Sequence, residues 1–168
     1  QIHRMPRANR GLRQRHGDLQ LGYPGLSPND AMRSFAEGSA AAINQCDWIA
    51  AHSYWQHPTQ PPFPMNAENS GLKWRVFRNL FPDKLIMVTE FSNNRTQFNG
   101  VPTTETDKGN QYVDYYKLVR SEPNLGAAFA FALSWPGENQ DVNREGWVFK
   151  NGETQIPGIV GAAIQAGI

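Results

Sequence analysis

Cysteine is nearly absent from this chain, and several motifs that would announce a mechanism are missing with it. One cysteine, Cys46, in 168 residues excludes an intramolecular disulfide and a cysteine metal site, and leaves the redox compartment open. Only four histidines occur, without tight His-x-x-x-His spacing, so a metal site from His52, His57 and Glu90 has little support and no metal is expected. Serine-hydrolase, phosphate-loop and dinucleotide fingerprints are lacking, which argues against an activated serine or a nucleotide site; no cofactor is expected. A net charge of +1 gives no general reason to expect nucleic acid or an anionic membrane as partner. No apolar stretch reaches the ~20 residues that span a bilayer. No charged and then apolar leader stands at the start, so no signal peptide is expected in the chain as given.

What the chain does contain is turn-forming residues and short apolar runs. The hydrophobic share is a low 39%, beside 15 glycines and 12 prolines, so long polar loops are expected. Arg4, Arg7, Arg10, Arg13 and Arg15 fall in a stretch with no acidic residue. Residues 1–17 are therefore expected to be a basic, unstructured lead-in, and 18–168 a single domain.

Three apolar runs read as strands buried on both faces, the kind found in parallel sheets. They cover 46–52, 85–91 and 126–134, with a weaker candidate at 19–23. Each strong run delivers polar or aromatic groups at its C-terminal end, where α/β sheets and barrels do their chemistry. The first leads into His52 and Tyr54, the second ends at Glu90, and the third leads to Trp135. Between them, helical spacing predicts helices over 30–44, 67–80 and 104–120, with Thr104 as a cap for the last, and a short final helix near 156–164. A loop with Pro58, Pro61, Pro62 and Pro64 interrupts the pattern after the first strong run. Strands alternating with helices predict an α/β fold of parallel βα units with right-handed crossovers. Only about four units fit, whereas a closed (β/α)8 barrel takes ~250 residues. The expectation is half of a TIM-type barrel.

The order His52-x-Tyr54, then Glu90, then Trp135 on successive strands resembles the sixth, seventh and eighth strands of the clan A retaining glycoside hydrolases, which include cellulases, mannanases and xylosidases. Leu26-Ser27-Pro28 looks like the loop after their fifth strand, so the resemblance runs from about residue 18 to the C-terminus. It implies a (β/α)8 architecture of which this chain is the C-terminal half. It also implies that Glu90 is the nucleophile, that Tyr54 hydrogen-bonds it, that His52 lines the site and that Trp135 stacks under the sugar. An oligosaccharide or polysaccharide with β-linkages is the implied partner, and an extracellular setting is favoured. The family's acid/base glutamate follows an asparagine on the fourth strand; nothing here matches it, so that role is carried over to no residue.

Elementary chemistry agrees with those roles. Retaining hydrolysis uses two carboxyl groups about 5–5.5 Å apart, and an indole face suits the CH face of a pyranose. Glu138, close after Trp135, is the internal candidate for the second carboxylate. Asn93 is a candidate for lining a polar subsite and Trp55 for bordering one, whereas Trp48, Trp74 and Trp147 read as packing residues. The alternatives are a catalytically weak or inactive carbohydrate-binding half-barrel, or a fragment lacking the acid/base half. An open four-stranded sheet also has two unpaired edges, so a homodimer that closes the barrel is expected.

Overall fold

Four strands, 22–23, 48–55, 85–93 and 125–130, lie side by side in that order, all parallel, in a computed structural model that describes residues 17–95, 97–133, 146–149 and 152–168. In chain order the elements run β1 (Gly22–Tyr23), α1 (Met32–Gly38), α2 (Ala40–Ile43), β2 (Trp48–Trp55), α3 (Arg75–Leu80) and β3 (Leu85–Asn93). A hairpin of β4 (Gln97–Phe98) and β5 (Val101–Pro102) precedes α4 (Glu105–Val119) and β6 (Leu125–Ala130). The chain closes with the hairpin of β7 (Val148–Phe149) and β8 (Gly152–Glu153), and then α5 (Gln155–Gln165). This is the predicted α/β arrangement of successive parallel βα units. Most of the predicted basic lead-in, residues 1–16, lies outside the described residues.

Two helices differ from expectation. The one predicted over 30–44 breaks at Ser39 into α1 and α2; glycine at 38 followed by serine weakens the helix where the break falls. The one predicted over 67–80 is α-helical only from Arg75, and 66–74 fold as turns. The cause is a backbone contact: a Cβ on Gly71 would stand 2.0 Å from the Met65 carbonyl oxygen. Chain segments this close leave no room for a regular helix bearing side chains.

Alternation along the strands sets the core. Ile49, Ala51, Ser53 and Trp55 of β2, with Ile86, Val88 and Phe91 of β3, are all fully buried against the helices. Trp55 stacks on Tyr115 at 4.9 Å and on Phe91 at 5.9 Å between ring centres, so an aromatic slab lies beneath the C-terminal ends of both strands. Thr104 starts α4 as predicted. Its hydroxyl accepts from the Asp107 N–H at 3.1 Å while the Asp107 carboxylate accepts from the Thr104 N–H at 3.0 Å. Those bonds from Thr104 hold the Asp107 carboxyl below its ordinary range. Away from this core, Phe129 of β6 and Leu133 beyond it are exposed by 56% and 73%.

Candidate functional site

One extra residue in β3 shapes the site. Ala51 pairs with Val88, but His52 pairs with Glu90, so Thr89 is a bulge in the β2–β3 ladder. The same insertion appears against β6, where Val88 pairs with Ala128 and Phe91 with Ala130. Val88 and Phe91 are both fully buried, while Thr89 and Glu90 between them are half-buried. A bulge of this kind re-aims a side chain. Here it turns Glu90 onto the face that carries His52 and Tyr54.

The three side chains meet there. The Tyr54 hydroxyl donates to Oε2 of Glu90, and Nδ1 of His52 stands 3.2 Å from the same oxygen. Among the described residues, Oε1 of Glu90 accepts no protein hydrogen bond, and the side chain keeps 31% of its surface exposed. One oxygen is thus fixed and, among the described residues, the other has no partner. The Nδ1–H form of His52 is the one that can donate here. Its ring is bounded by the loop after β1: a Cβ on Gly25 would fall 2.4 Å from Nε2 of His52, and the His52 N–H donates to the Leu26 carbonyl at 3.2 Å. Only glycine lets that loop lie so close. Tyr54 is held edge-on between His52 and Phe131, with ring centres 6.4 and 6.3 Å away. A cavity of about 340 Å3 opens beside Tyr54, bordered by Gln56, Phe63, Asn94 and the Asp30–Lys73 ion pair.

The other residues singled out in the sequence fall elsewhere. Trp55 does not border a subsite: it is fully buried on the helix side, and its indole N–H donates to Oε1 of Gln111 at 2.7 Å. The cause is strand alternation, which puts neighbours Tyr54 and Trp55 on opposite faces. Asn93 is also buried and its amide is spent internally, donating to Gln111 at 2.8 Å and accepting from the Arg95 N–H at 2.9 Å. It borders a separate cleft against α4. Trp135 and Glu138 lie outside the described residues. Gly25, Phe131 and the Thr89 bulge belong to the site without having been singled out. Phe131 was in view within an apolar run, but bulges leave no composition signal. Among the described residues, no group of three or more His, Cys, Asp or Glu side chains is placed to hold a metal. No helix among them is long and apolar enough to cross a membrane.

No family model matches the chain, and no curated protein matches it. Solved structures do. A GH128 subgroup II endo-β-1,3-glucanase from Pseudomonas viridiflava superposes with a TM-score of 0.65 at 15% identity, over 95% of this chain and 60% of its own. The GH128 subgroup I endo-β-1,3-glucanase from Amycolatopsis mediterranei, solved with laminaritriose, gives 0.62 at 17% identity, over 95% and 65%. An exo-β-1,3-glucanase of subgroup VI from Aureobasidium namibiae gives 0.60 at 14% identity, over 86% and 52%. The chain therefore spans between 52% and 65% of the length of these proteins. At such identities the likeness shows the fold: parallel βα units of the (β/α)8 kind on which these glycoside hydrolases are built.

Proposed function

We propose that this chain carries the nucleophile side of a retaining site for β-linked glycans and corresponds to the C-terminal half of a clan A barrel. The observation behind this reading is the Glu90 carboxylate, gripped at one oxygen by Tyr54 and His52 at the C-terminal ends of parallel strands. In the proposed reaction Oε1 of Glu90 attacks the anomeric carbon and the glycosidic C–O bond breaks. An acid protonates the leaving oxygen, and water then cleaves the glycosyl ester. Glu138 is the proposed second carboxylate and Trp135 the platform under the sugar. The β-1,3-glucanase neighbours make β-1,3-glucans the first substrates to try.

The test is hydrolysis of laminarin and aryl β-glucosides by the wild type and Glu90→Gln. Turnover that vanishes in Glu90→Gln while the fold persists supports the reading; turnover indifferent to Glu90 overturns it. A second reading, glycan binding without hydrolysis, is favoured by the presence of a single carboxylate among the described residues that meet at this rim. Saturable laminaritriose binding with no turnover would select it.

A further inference from the structure

A second opening lies on the helix side of the β2–β3 strand ends. It is a cleft of about 530 Å3 between the loop after β2 and the first half of α4, a size usual for small-molecule sites. Its floor is Gln111, only 7% exposed. Oε1 of Gln111 accepts from Nε1 of Trp55 at 2.7 Å and from Nδ2 of Asn93 at 2.8 Å, which uses both of its acceptor directions. Asn93 is itself fixed by the Arg95 N–H. Flipping the Gln111 amide would set its NH2 against two donors, so its orientation is locked. Its NH2 makes no hydrogen bond to the described residues, and Gln111 is one of the residues that line the cleft. A buried side chain thus holds an unused donor toward the cleft, with its ordering cost already met in the unbound protein.

The walls say what such a donor would meet. Exposed amides of Asn99 and Asn110 and the carboxylate of Asp114 surround the opening, with apolar surface from Pro58 and Val101. Among the described residues no lysine or arginine lines it, whereas the carboxylates of Asp107 and Asp114 do, so phosphate, sulfate and uronate ligands are disfavoured. Amides that donate and accept, two carboxylates to accept from hydroxyl groups, and apolar patches for C–H groups together suit a neutral ring bearing many hydroxyls.

We propose that this cleft is a second saccharide-binding site, separate from the Glu90 face, which takes one or two units of a neutral glycan with the Gln111 NH2 as its fixed donor. The two openings share Gln56 as a common border, so a glycan held here is anchored next to the cavity beside Tyr54. Binding in the cleft does not depend on whether Glu90 performs chemistry.

The experiment follows the side-chain NH2 signals of Gln111 by NMR in 15N-labelled protein during titration with laminaritriose and, separately, cellotriose. The expected result is a saturable shift of those signals with at least one of the sugars. The Asn110→Ala/Asp114→Ala variant, altered only at exposed positions, should bind there about tenfold more weakly, a loss of ~1.4 kcal/mol. Glu90→Gln should leave the Gln111 response unchanged. Gln111 signals that stay still with both sugars overturn the cleft as a saccharide site, even if shifts occur around Tyr54. Shifts confined to the Tyr54 face would leave the reading of Glu90 standing, and loss of those alone would leave the cleft standing.

Discussion

Tyr54 and Glu90 share a hydrogen bond across 36 residues of sequence, and they do so because Thr89 is one residue more than β2 can match. Without that bulge, simple alternation from the buried Val88 would send residue 90 back into the helix layer and leave Tyr54 facing another strand position. The polar cluster and the irregular ladder are one feature.

Replacing Glu90 by alanine should abolish glycoside turnover with a stability change within ~1 kcal/mol, because a half-buried rim carboxylate adds little to packing. Azide or formate should restore part of the activity by filling the vacated space. Thermal unfolding and assays with added anion check both, and joint loss of fold and activity would point to a structural role.

Tyr54→Phe keeps the ring between His52 and Phe131 but removes the donor to Glu90. Turnover should fall more than glycan affinity, by the ~1.5–3 kcal/mol usual for a hydrogen bond to a charged group. Equal losses in kcat and in binding would contradict this assignment.

The two tryptophans should behave in opposite ways. Trp55→Ala removes a fully buried ring from the aromatic slab and should cost ~3–5 kcal/mol of stability. Trp135→Ala should weaken glycan binding by ~1 kcal/mol. Denaturation curves beside sugar titrations separate them.

Acid stability should depend on Glu122. Burial alone would raise its carboxyl, but hydrogen bonds and charge from Arg75 and Arg78 outweigh this and hold it below the ordinary carboxylate range. A lowered folded pKa means the stabilisation is complete above the ordinary value of 4.5 and is lost as pH falls through the lower folded value. Denaturant titrations at falling pH should therefore show a loss of stability that is smaller in Glu122→Gln.

Self-association is expected from the sheet. Among the described residues β1 and β6 are its edges, and Phe129 and Leu133 expose apolar surface by β6. A second copy would pair with these edges. Light scattering should show a concentration-dependent dimer that Phe129→Lys weakens; a monomer at all concentrations would remove the idea.

Much of this was legible in the sequence. Apolar runs leading to His52 and Glu90 point to parallel strands, and β2 and β3 do pair in parallel, but the expected burial on both faces does not hold for β6, none of whose residues is buried and whose Phe129 is 56% exposed. The side chains facing each way were harder to read. Trp55 follows Tyr54 directly, and because both are aromatic no alternation of polar and apolar residues shows which neighbour meets solvent. The β4–β5 hairpin carries a sequence signal of its own. Asn99-Gly100 take φ of 50° and 78°, the positive values that the Asn-Gly pair supplies at least cost. The cleft on Gln111 had no sequence signal, since it depends on two donors brought to one amide from β2 and β3.

The loop after β2 is a closed ring. The Gln56 N–H bonds the Phe63 carbonyl at 2.9 Å and the Met65 N–H bonds the His57 carbonyl at 2.8 Å. Beyond that neck, Gly71 is wedged against Met65 and its carbonyl accepts from the Tyr115 hydroxyl at 2.9 Å. Residues 58–62 therefore hang from a clasp that is fastened elsewhere, and doubling such a loop adds only ~0.6 kcal/mol of closure entropy. Its tip is an exchangeable part. Pro58 and Gln60 border the cleft over Gln111, so swapping the tip for longer or differently charged sequences should alter what that cleft accepts while Glu90, His52 and Tyr54 keep their places, which makes this loop the natural point from which new specificities diverge.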